Sequence, residues 1–299
     1  MLIYLQNHPG GAGNWIYRGY YEAWKKEGFE PVFIKSLDEI DSNDYMLMIT
    51  NGMVDKNNLT AIEKSKKCFM FASPNIYPDP WGQHPNFQCP LDLPTINILN
   101  ELDNVVKWTF GEVKKEHYTW WNDVITVPLA FDEANYQVAD PDNKNYKYDV
   151  CFIGGFANNG FNEKIKIMEE CLGTFMRTKL KYGFSIGQQI SHGAENKVLL
   201  ESKVCLNIHD AYQRHLGLDT NERTFKSLGV NGLMVSDKVK QLNDLFPDVK
   251  TSLNNDVLVN FVLEYVEQDV SDIKKNNIDN IKKNHTYSNR VRKFLEYAN

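Results

Sequence analysis

The amino-acid sequence predicts an α/β protein built from two consecutive doubly wound units, each a parallel sheet with helices on both faces. Three observations carry that expectation. Short apolar runs of strand length alternate with stretches of helical periodicity along the chain. Two of those runs, residues 2–5 and 148–153, lead through glycine-rich loops into amphipathic helices. Between the two series lies a polar, aperiodic segment at 128–147, containing Asp140-Pro141-Asp142-Asn143-Lys144-Asn145. The expected organisation is a first Rossmann-like domain at 1–127, a linker at 128–147, and a second Rossmann-like domain at 148–284. A terminal helix at 285–299 is expected to pack back on the first domain.

The elements follow in order. Residues 2–5 form a buried-type strand, and Gln6-Asn7-His8-Pro9-Gly10-Gly11-Ala12-Gly13-Asn14 reads as a glycine-rich loop. A helix over 15–27 places Ile16, Tyr20, Ala23 and Trp24 on one side. Strands are expected at 31–34, 45–50, 68–72, 105–109 and 124–127. The stretch 73–93 carries Tyr77, Pro78, Pro80, Trp81, Pro85, Phe87 and Pro90, so it is a long loop and not a helix. The second series begins with a strand at 148–153 and a helix at 162–171, then strands at 183–186 and 204–208. A short helix opened by Asp219, Thr220 and Asn221 closes near Gly229 to Gly232, before a strand at 233–235. Asp256 is expected to cap a helix striped with Leu258, Phe261, Val262, Tyr265 and Val266. From residue 270 the chain is helical and amphipathic through Ile273, Ile278, Ile281, Val291, Phe294 and Leu295.

Composition narrows the function classes. The 299 residues are 42% hydrophobic and 24% charged, which suits folded domains and not a disordered chain. A formal net charge of −6 argues against a broad footprint for nucleic acid or anionic membrane, although a modified-base acceptor stays open. The five cysteines are scattered without a C-x-x-C pair, and Cys151 and Cys205 sit in apolar runs as small core residues. The amino terminus is apolar for five residues and lacks a basic leader, so it reads as a strand and not as a signal peptide. No apolar run is long enough to span a bilayer, and the cytoplasm is the expected compartment.

Candidate site residues cluster at predicted strand ends. His8 follows the first strand, where an imidazole suits a general base; a loop histidine bonded to backbone has the same appearance. The spacing Gly11-x-Gly13 lacks the third glycine of a dinucleotide fingerprint, which disfavours a nicotinamide-dependent oxidoreductase. Gly11 and Asn14 instead read as a tight turn that lets a substrate approach the backbone. In the second loop, Gly154, Gly155 and Phe156 open onto a helix, and bare backbone N–H groups there suit a phosphate as well as a plain turn. Asn207, His209 and Asp210 end a strand and read as a ligand-facing cluster or as a local capping network. Metal ligation by His209, Asp210 and His215 matches no defined spacing, so no metal is expected. Arg223 and Lys226 lie three residues apart beside a helix start, which favours an anion. Trp81, Tyr77, Phe87, Trp120 and Trp121 are either an aromatic platform for a sugar or core.

The strand leading to Gly154-Gly155, then Tyr182-Gly183, Val204-Cys205-Leu206-Asn207-Ile208-His209, Asn221-x-Arg223-x-Phe225 and the run from Gly229 through Gly232-Leu233-Met234-Val235-Ser236-Asp237 resemble one glycosyltransferase branch. It is the spore-maturation (CgeB-like) branch of the group-1 glycosyltransferases, which have the GT-B fold. Val127-Pro128-Leu129-Ala130-Phe131-Asp132 and His285-Thr286-Tyr287-Ser288-x-Arg290 support the likeness. It covers residues 127–294, and the preceding half matches in layout only. The resemblance implies two facing domains with a cleft between them, and transfer of a sugar from a nucleotide-diphosphate donor without an essential metal or permanent cofactor. The co-substrate is then a UDP- or GDP-sugar and the acceptor a glycan or other hydroxyl, handled by a hexosyl- or pentosyl-transferase.

Carried across residue by residue, the likeness puts Arg223 and Thr224 on the diphosphate, with Gly154, Gly155, Phe156 and Tyr182 on the donor side. Asn207 and His209 then stand near phosphate or sugar. The acceptor side is drawn from Gly11, Asn14, Trp81 and His84, with His8 as a candidate base. One departure is plain: the family usually has a ribose-binding glutamate where this chain has Lys226, which has donors only. Either Lys226 contacts phosphate, or Glu222 takes the ribose from a neighbouring turn. The alternative reading is a non-catalytic nucleotide-sugar or phosphate-ligand binding protein, with Lys226 marking loss of the donor grip.

Overall fold

A computed structural model describes residues 1–8, 11–83, 89–155, 163–187 and 190–298. The chain divides into two compact units, Met1–Pro128 with Tyr287–Asn299 and Leu129–Thr286.

The first unit runs β1 (Leu2–Gln6), α1 (Gly11–Lys26), β2 (Glu30–Ile34), β3 (Tyr45–Thr50), α2 (Leu59–Lys64), β4 (Cys68–Phe71), α3 (Leu93–Glu101), β5 (Val105–Thr109) and β6 (Ile125–Thr126). Its sheet has the order β2-β1-β3-β4-β5-β6, and every pairing is parallel. β3 reads Tyr-Met-Leu-Met-Ile-Thr and is buried along nearly its whole length, as a central strand covered on both faces must be. The terminal helix of the chain, Tyr287–Glu296, packs on α1, where Gly19 leaves room for the Tyr287 ring. Its Phe294 is fully buried, with ring centroids 4.9 Å from Phe69 and 5.1 Å from Trp108.

The second unit runs β7 (Tyr148–Gly154), α4 (Glu163–Met176), β8 (Tyr182–Ile186), α5 (His192–Leu200), β9 (Ser202–Asn207), α6 (Ala211–Leu216) and α7 (Glu222–Lys226). β10 (Met234–Ser236), α8 (Lys240–Leu245), β11 (Lys250–Thr251), α9 (Asn255–Glu267) and α10 (Ser271–Asn284) complete it. The sheet order is β11-β10-β9-β7-β8, again all parallel. Its core joins Val150, Phe152, Val204, Leu206 and Val235 of the strands to Met168, Phe175, Leu258 and Val262 of α4 and α9. The expected α/β class with two parallel-sheet Rossmann-like units is what the chain adopts. No helix among the described residues is long and apolar enough to cross a membrane.

Two local expectations are corrected. α1 starts at Gly11 and not at Trp15, because Gly13 lies in its first turn and lets the His8 ring pack where a Cβ would collide. The cap of α9 is Asn254, whose Oδ1 accepts from the N–H groups of Asp256 at 2.9 Å and Val257 at 3.3 Å. Asp256 is the acid of that helix's first turn. α7 runs on into a π-helical turn, Ser227–Asn231, that ends on Gly232 at φ 81°, within the glycine stretch where the sequence expects the helix to close. Gly229 meets the Phe131 ring and Gly232 the Lys274 backbone, each at 2.5 Å from where a Cβ would stand.

Lys274 of α10 is fully buried, and its Nζ makes no hydrogen bond among the described residues. The Nζ stands 4.6 Å from the centre of the Tyr146 ring. Burial lowers its pKa from 10.5 to about 8. The unfolded chain therefore holds this proton more tightly, and stability rises with pH between about 8 and 10.5. Lys274→Met is expected to stabilise the protein at pH 7 by about 1–3 kcal/mol. It should also flatten that rise relative to wild type, both read from urea denaturation across pH.

Candidate functional site

β7 is flanked by β8 on one side and β9 on the other, so the chain leaves the middle of this sheet in both directions. The crevice at the carboxyl ends of β7 and β9 is the switch point, where open α/β sheets take ligands. Arg223 enters there from α7. Its Nε donates to the Ile153 carbonyl at 2.6 Å, and Nη1 donates to Asn207 Oδ1 and the Ile208 carbonyl, each at 3.1 Å. The guanidinium carbon lies 4.8 Å from the centre of the Phe152 ring. All these partners are neutral. Among the described residues no carboxylate pairs with Arg223, and Nη2 has no acceptor. Burial lowers its pKa, against the pull of Glu222 and Asp210, yet an arginine stays charged. The result is a half-buried positive charge with no hydrogen-bonded carboxylate among the described residues, at the edge of the sheet where open α/β folds take ligands.

Gly154 is the complement of that side chain. A Cβ there would lie 2.5 Å from Arg223 Nη2 and 2.7 Å from the Phe152 ring. Gly155 follows at the exposed end of β7, and Phe156 lies outside the described residues.

Beneath the guanidinium runs a buried polar chain. Asn207 Nδ2 donates to Thr224 Oγ1 at 2.9 Å, and Thr224 and Thr220 share a hydroxyl hydrogen bond at 2.6 Å. Thr220 Oγ1 meets His209 Nε2 at 2.8 Å, and His209 Nδ1 meets Asp237 Oδ1 at 2.5 Å. The His209 N–H also donates to both Asp237 oxygens, at 2.9 and 3.1 Å. Burial pushes the Asp237 carboxyl up, but His209 and Arg214 bring it below its usual value. Asn207, His209 and Thr224 are fully buried. The expectation that His209 and Thr224 touch ligand is therefore corrected: both ring nitrogens and the hydroxyl are spent inside the protein, and these residues hold Arg223 in place. Of the alternatives for this cluster, the structure shows the local network. Lys164 of α4, not singled out by the sequence, joins it by donating to the Ile208 carbonyl at 2.7 Å and pairing with Asp210 at 3.1 Å.

Lys226 is directed to two carboxylates. It is buried between Glu195 Oε1 of α5 at 2.8 Å and Glu222 Oε1 at 3.1 Å. Burial lowers its pKa and the two carboxylates raise it, with a net rise. The hydroxyl of Tyr136 donates to the other oxygen of Glu195. The Lys226 ammonium is thus turned to carboxylates. Tyr182 is also set apart from the cluster. It pairs with Val150 at the start of β8, whereas the carboxyl end of that strand is marked by the Gly154–Ile186 pair. Its ring stacks on Phe184, with centroids 5.0 Å apart.

The residues expected on the acceptor side belong to the first unit. His8 stands just beyond β1, with its ring over Gly13 and stacked on Tyr17 at 6.3 Å. Its buried Nδ1 has no hydrogen-bond partner among the described residues. Gly11, at φ 60°, and Asn14 are exposed in the first turn of α1. Trp81 is 6% exposed, as is Trp121, whose Nε1 donates to the Ser73 carbonyl at 3.0 Å. Both are core residues and not an open platform; Trp120 is exposed. His84 and Phe87 lie outside the described residues. A polar groove of about 540 Å³ lies at the carboxyl ends of β1–β3, lined in part by Gln6, Asn7, Ser36 and Gly52.

A family model described as glycosyl transferase-like matches residues 161–296. No curated protein matches the chain by sequence. Among solved structures, AviGT4, a glycosyltransferase involved in avilamycin A biosynthesis, is similar with 11% identity and a TM-score of 0.61 over 100% of this chain and 97% of its own. An alpha-glucosyltransferase in complex with UDP-glucose and DNA containing an abasic site gives 10% identity and 0.60 over 99% and 98%. An alpha1,3-fucosyltransferase with GDP-fucose gives 10% and 0.51 over 100% and 90%. The chain therefore has the fold of GT-B glycosyltransferases.

Gly154→Ala should push the guanidinium off its carbonyl anchors and weaken binding of inorganic pyrophosphate about tenfold or more. Gly173→Ala, where a Cβ meets nothing nearer than 3.8 Å, should leave it unchanged. Isothermal titration of both variants checks the pair.

Proposed function

We propose that this chain is a glycosyltransferase that moves a sugar from a nucleoside-diphosphate sugar to a hydroxyl acceptor. The observation that carries the reading is the Arg223 guanidinium, free of any paired carboxylate among the described residues, at the switch point of a GT-B unit. The glycosyl transferase-like family match and the likeness to glycosyltransferase folds support it. Within that class, the motifs ending at Asp237 and Arg290 favour the spore-maturation branch. The second unit takes the donor and the first shapes the acceptor site.

In the reaction the bond between the anomeric carbon and the diphosphate oxygen breaks, and its electron pair stays with the phosphate. The acceptor oxygen forms the new bond and gives up its proton. Charge growing on the leaving diphosphate needs a fixed positive partner. Arg223 is preorganised for this: its Nε and Nη1 are tied to protein and its Nη2 is free among the described residues to meet an oxygen. That grip supplies the electrostatic role a metal would otherwise fill. His8 is the candidate base of an inverting route, since its ring is fixed against Gly13.

Incubation with UDP- and GDP-sugars, followed by assay of released nucleoside diphosphate, tests the reading. Turnover with one donor is expected, and Arg223→Ala should lower it by about 10²–10³. Binding of nucleotide sugars without release or transfer would instead favour the non-catalytic reading. His8→Ala with near-normal turnover would remove the base while leaving the donor site intact.

A further inference from the structure

Cys151 of β7 and Cys205 of β9 pair in register on adjacent parallel strands, and their Sγ atoms stand 3.7 Å apart. Both are free thiols, buried in the second unit. Val150, Phe152, Val204 and Leu206 turn into the core with α4 and α9, so the two cysteines between them face the other side of the sheet. α10 contributes Lys274 to this neighbourhood, and its charge acts on both thiols. Its fully buried ammonium has no hydrogen-bond acceptor among the described residues. Burying an ammonium in this way is costly, and an anion formed beside it offsets the cost. The hydrogen bond from Cys205, followed by Ser202 and Lys274, favours ionisation of Cys151 against its burial. Burial instead pushes the Cys205 thiol up. One thiol is thus suited to attack and the other to follow.

Adjacent strands lie about 4.8 Å apart, inside the span of about 4.4–6.8 Å between Cα atoms that a disulfide bridges. We infer that Cys151 and Cys205 are a redox site that a hydroperoxide closes to a disulfide, with Lys274 as the counter-ion that positions the attacking thiolate. Local opening of the fold admits the small oxidant. With hydrogen peroxide, Cys151 Sγ attacks one oxygen and the O–O bond breaks. The departing hydroxide takes up the proton that Cys151 released, leaving a sulfenic acid. Cys205 Sγ then attacks Cys151 Sγ, the S–O bond breaks, and hydroxide leaves as water with the Cys205 proton. The two sulfurs give up two electrons and the peroxide becomes two waters. Closing the sulfurs from 3.7 Å to about 2.05 Å draws β7 to β9. Two residues further along these strands stand Ile153 and Asn207, whose oxygens anchor Arg223, so the bond disturbs that anchorage. The effect on ligand binding rests on the diphosphate reading of Arg223; the disulfide does not.

Mass spectrometry of the reduced protein after hydrogen peroxide, intact and as peptides, tests this. Loss of two hydrogens and a link between the Cys151 and Cys205 peptides, reversed by dithiothreitol, is expected. Cys205→Ser should stop at a dimedone-reactive sulfenic acid on Cys151. Lys274→Met should slow closure about tenfold or more, since only the thiolate attacks. That rate is measured against alkylation of buried Cys171, which reports opening of the fold in each protein, and an equal ratio would overturn the role of Lys274. Pyrophosphate affinity, by isothermal titration, should fall about two- to tenfold on oxidation, the value of one lost hydrogen bond, and return on reduction. Equal affinity in the two forms would overturn the link to Arg223. No binding by the reduced protein would overturn the diphosphate reading and that link together, with the disulfide still read from the mass. Cys151 and Cys205 left unlinked in folded, peroxide-treated protein would overturn the inference.

Discussion

A guanidinium held by neutral acceptors alone is the constraint from which the second unit's site follows. Burying a charge without a partner is expensive, and removing water from it makes each remaining hydrogen bond matter more. The ends of β7 and β9 supply two carbonyls and one amide oxygen to Arg223. Those acceptors are spent, so the neighbouring polar groups must be satisfied elsewhere. Asn207 turns its amide nitrogen to Thr224, Thr224 to Thr220, and Thr220 to His209 on Asp237. Each link fixes the next. The chain leaves both Nη2 N–H groups of a half-buried cation without an acceptor among the described residues, in a crevice where open α/β sheets take ligands.

The same logic explains why a lysine is tolerated at position 226. A donor-only side chain in a buried setting demands carboxylates, and two converge on it from α5 and α7. The ammonium is thereby directed to carboxylates. A buried pair of this kind is weak evidence for stability by itself. Its consequence is geometric, because it fixes where the less buried carboxylate of the group points. Lys226 is thus set among carboxylates and is not an orphaned charge.

Much of the fold was legible because strands of parallel sheets are unbroken apolar runs. β3 and β5 were located to the residue, and β7 and β8 within one, from Tyr-Met-Leu-Met-Ile-Thr and similar stretches. Helix starts were less legible. Glycines at 11 and 13 look like a loop, and only the packed His8 ring shows why they stand in a helix. Asp256 reads as the cap of α9, and only the structure places Asn254 there, accepting from the Asp256 N–H. At the site, Gly154, Asn207 and Arg223 are near in space because strand ends meet at the switch point, which the alternation of elements foretold. Tyr136, Glu195 and Lys164 were not foreseen, since each reaches its partner across 31 to 59 residues and sits in no motif. Polar residues at strand ends signal a site, yet they do not separate a half-buried residue with a free donor, such as Arg223, from a buried support such as His209.

A crystal structure with a bound nucleoside diphosphate tests the central claim most directly. A diphosphate oxygen within about 2.7–2.9 Å of Arg223 Nη2, with the Ile153 and Ile208 carbonyl bonds intact, is the predicted result. A diphosphate bound elsewhere on the second unit, with Nη2 turned to solvent or to a carboxylate, would contradict it.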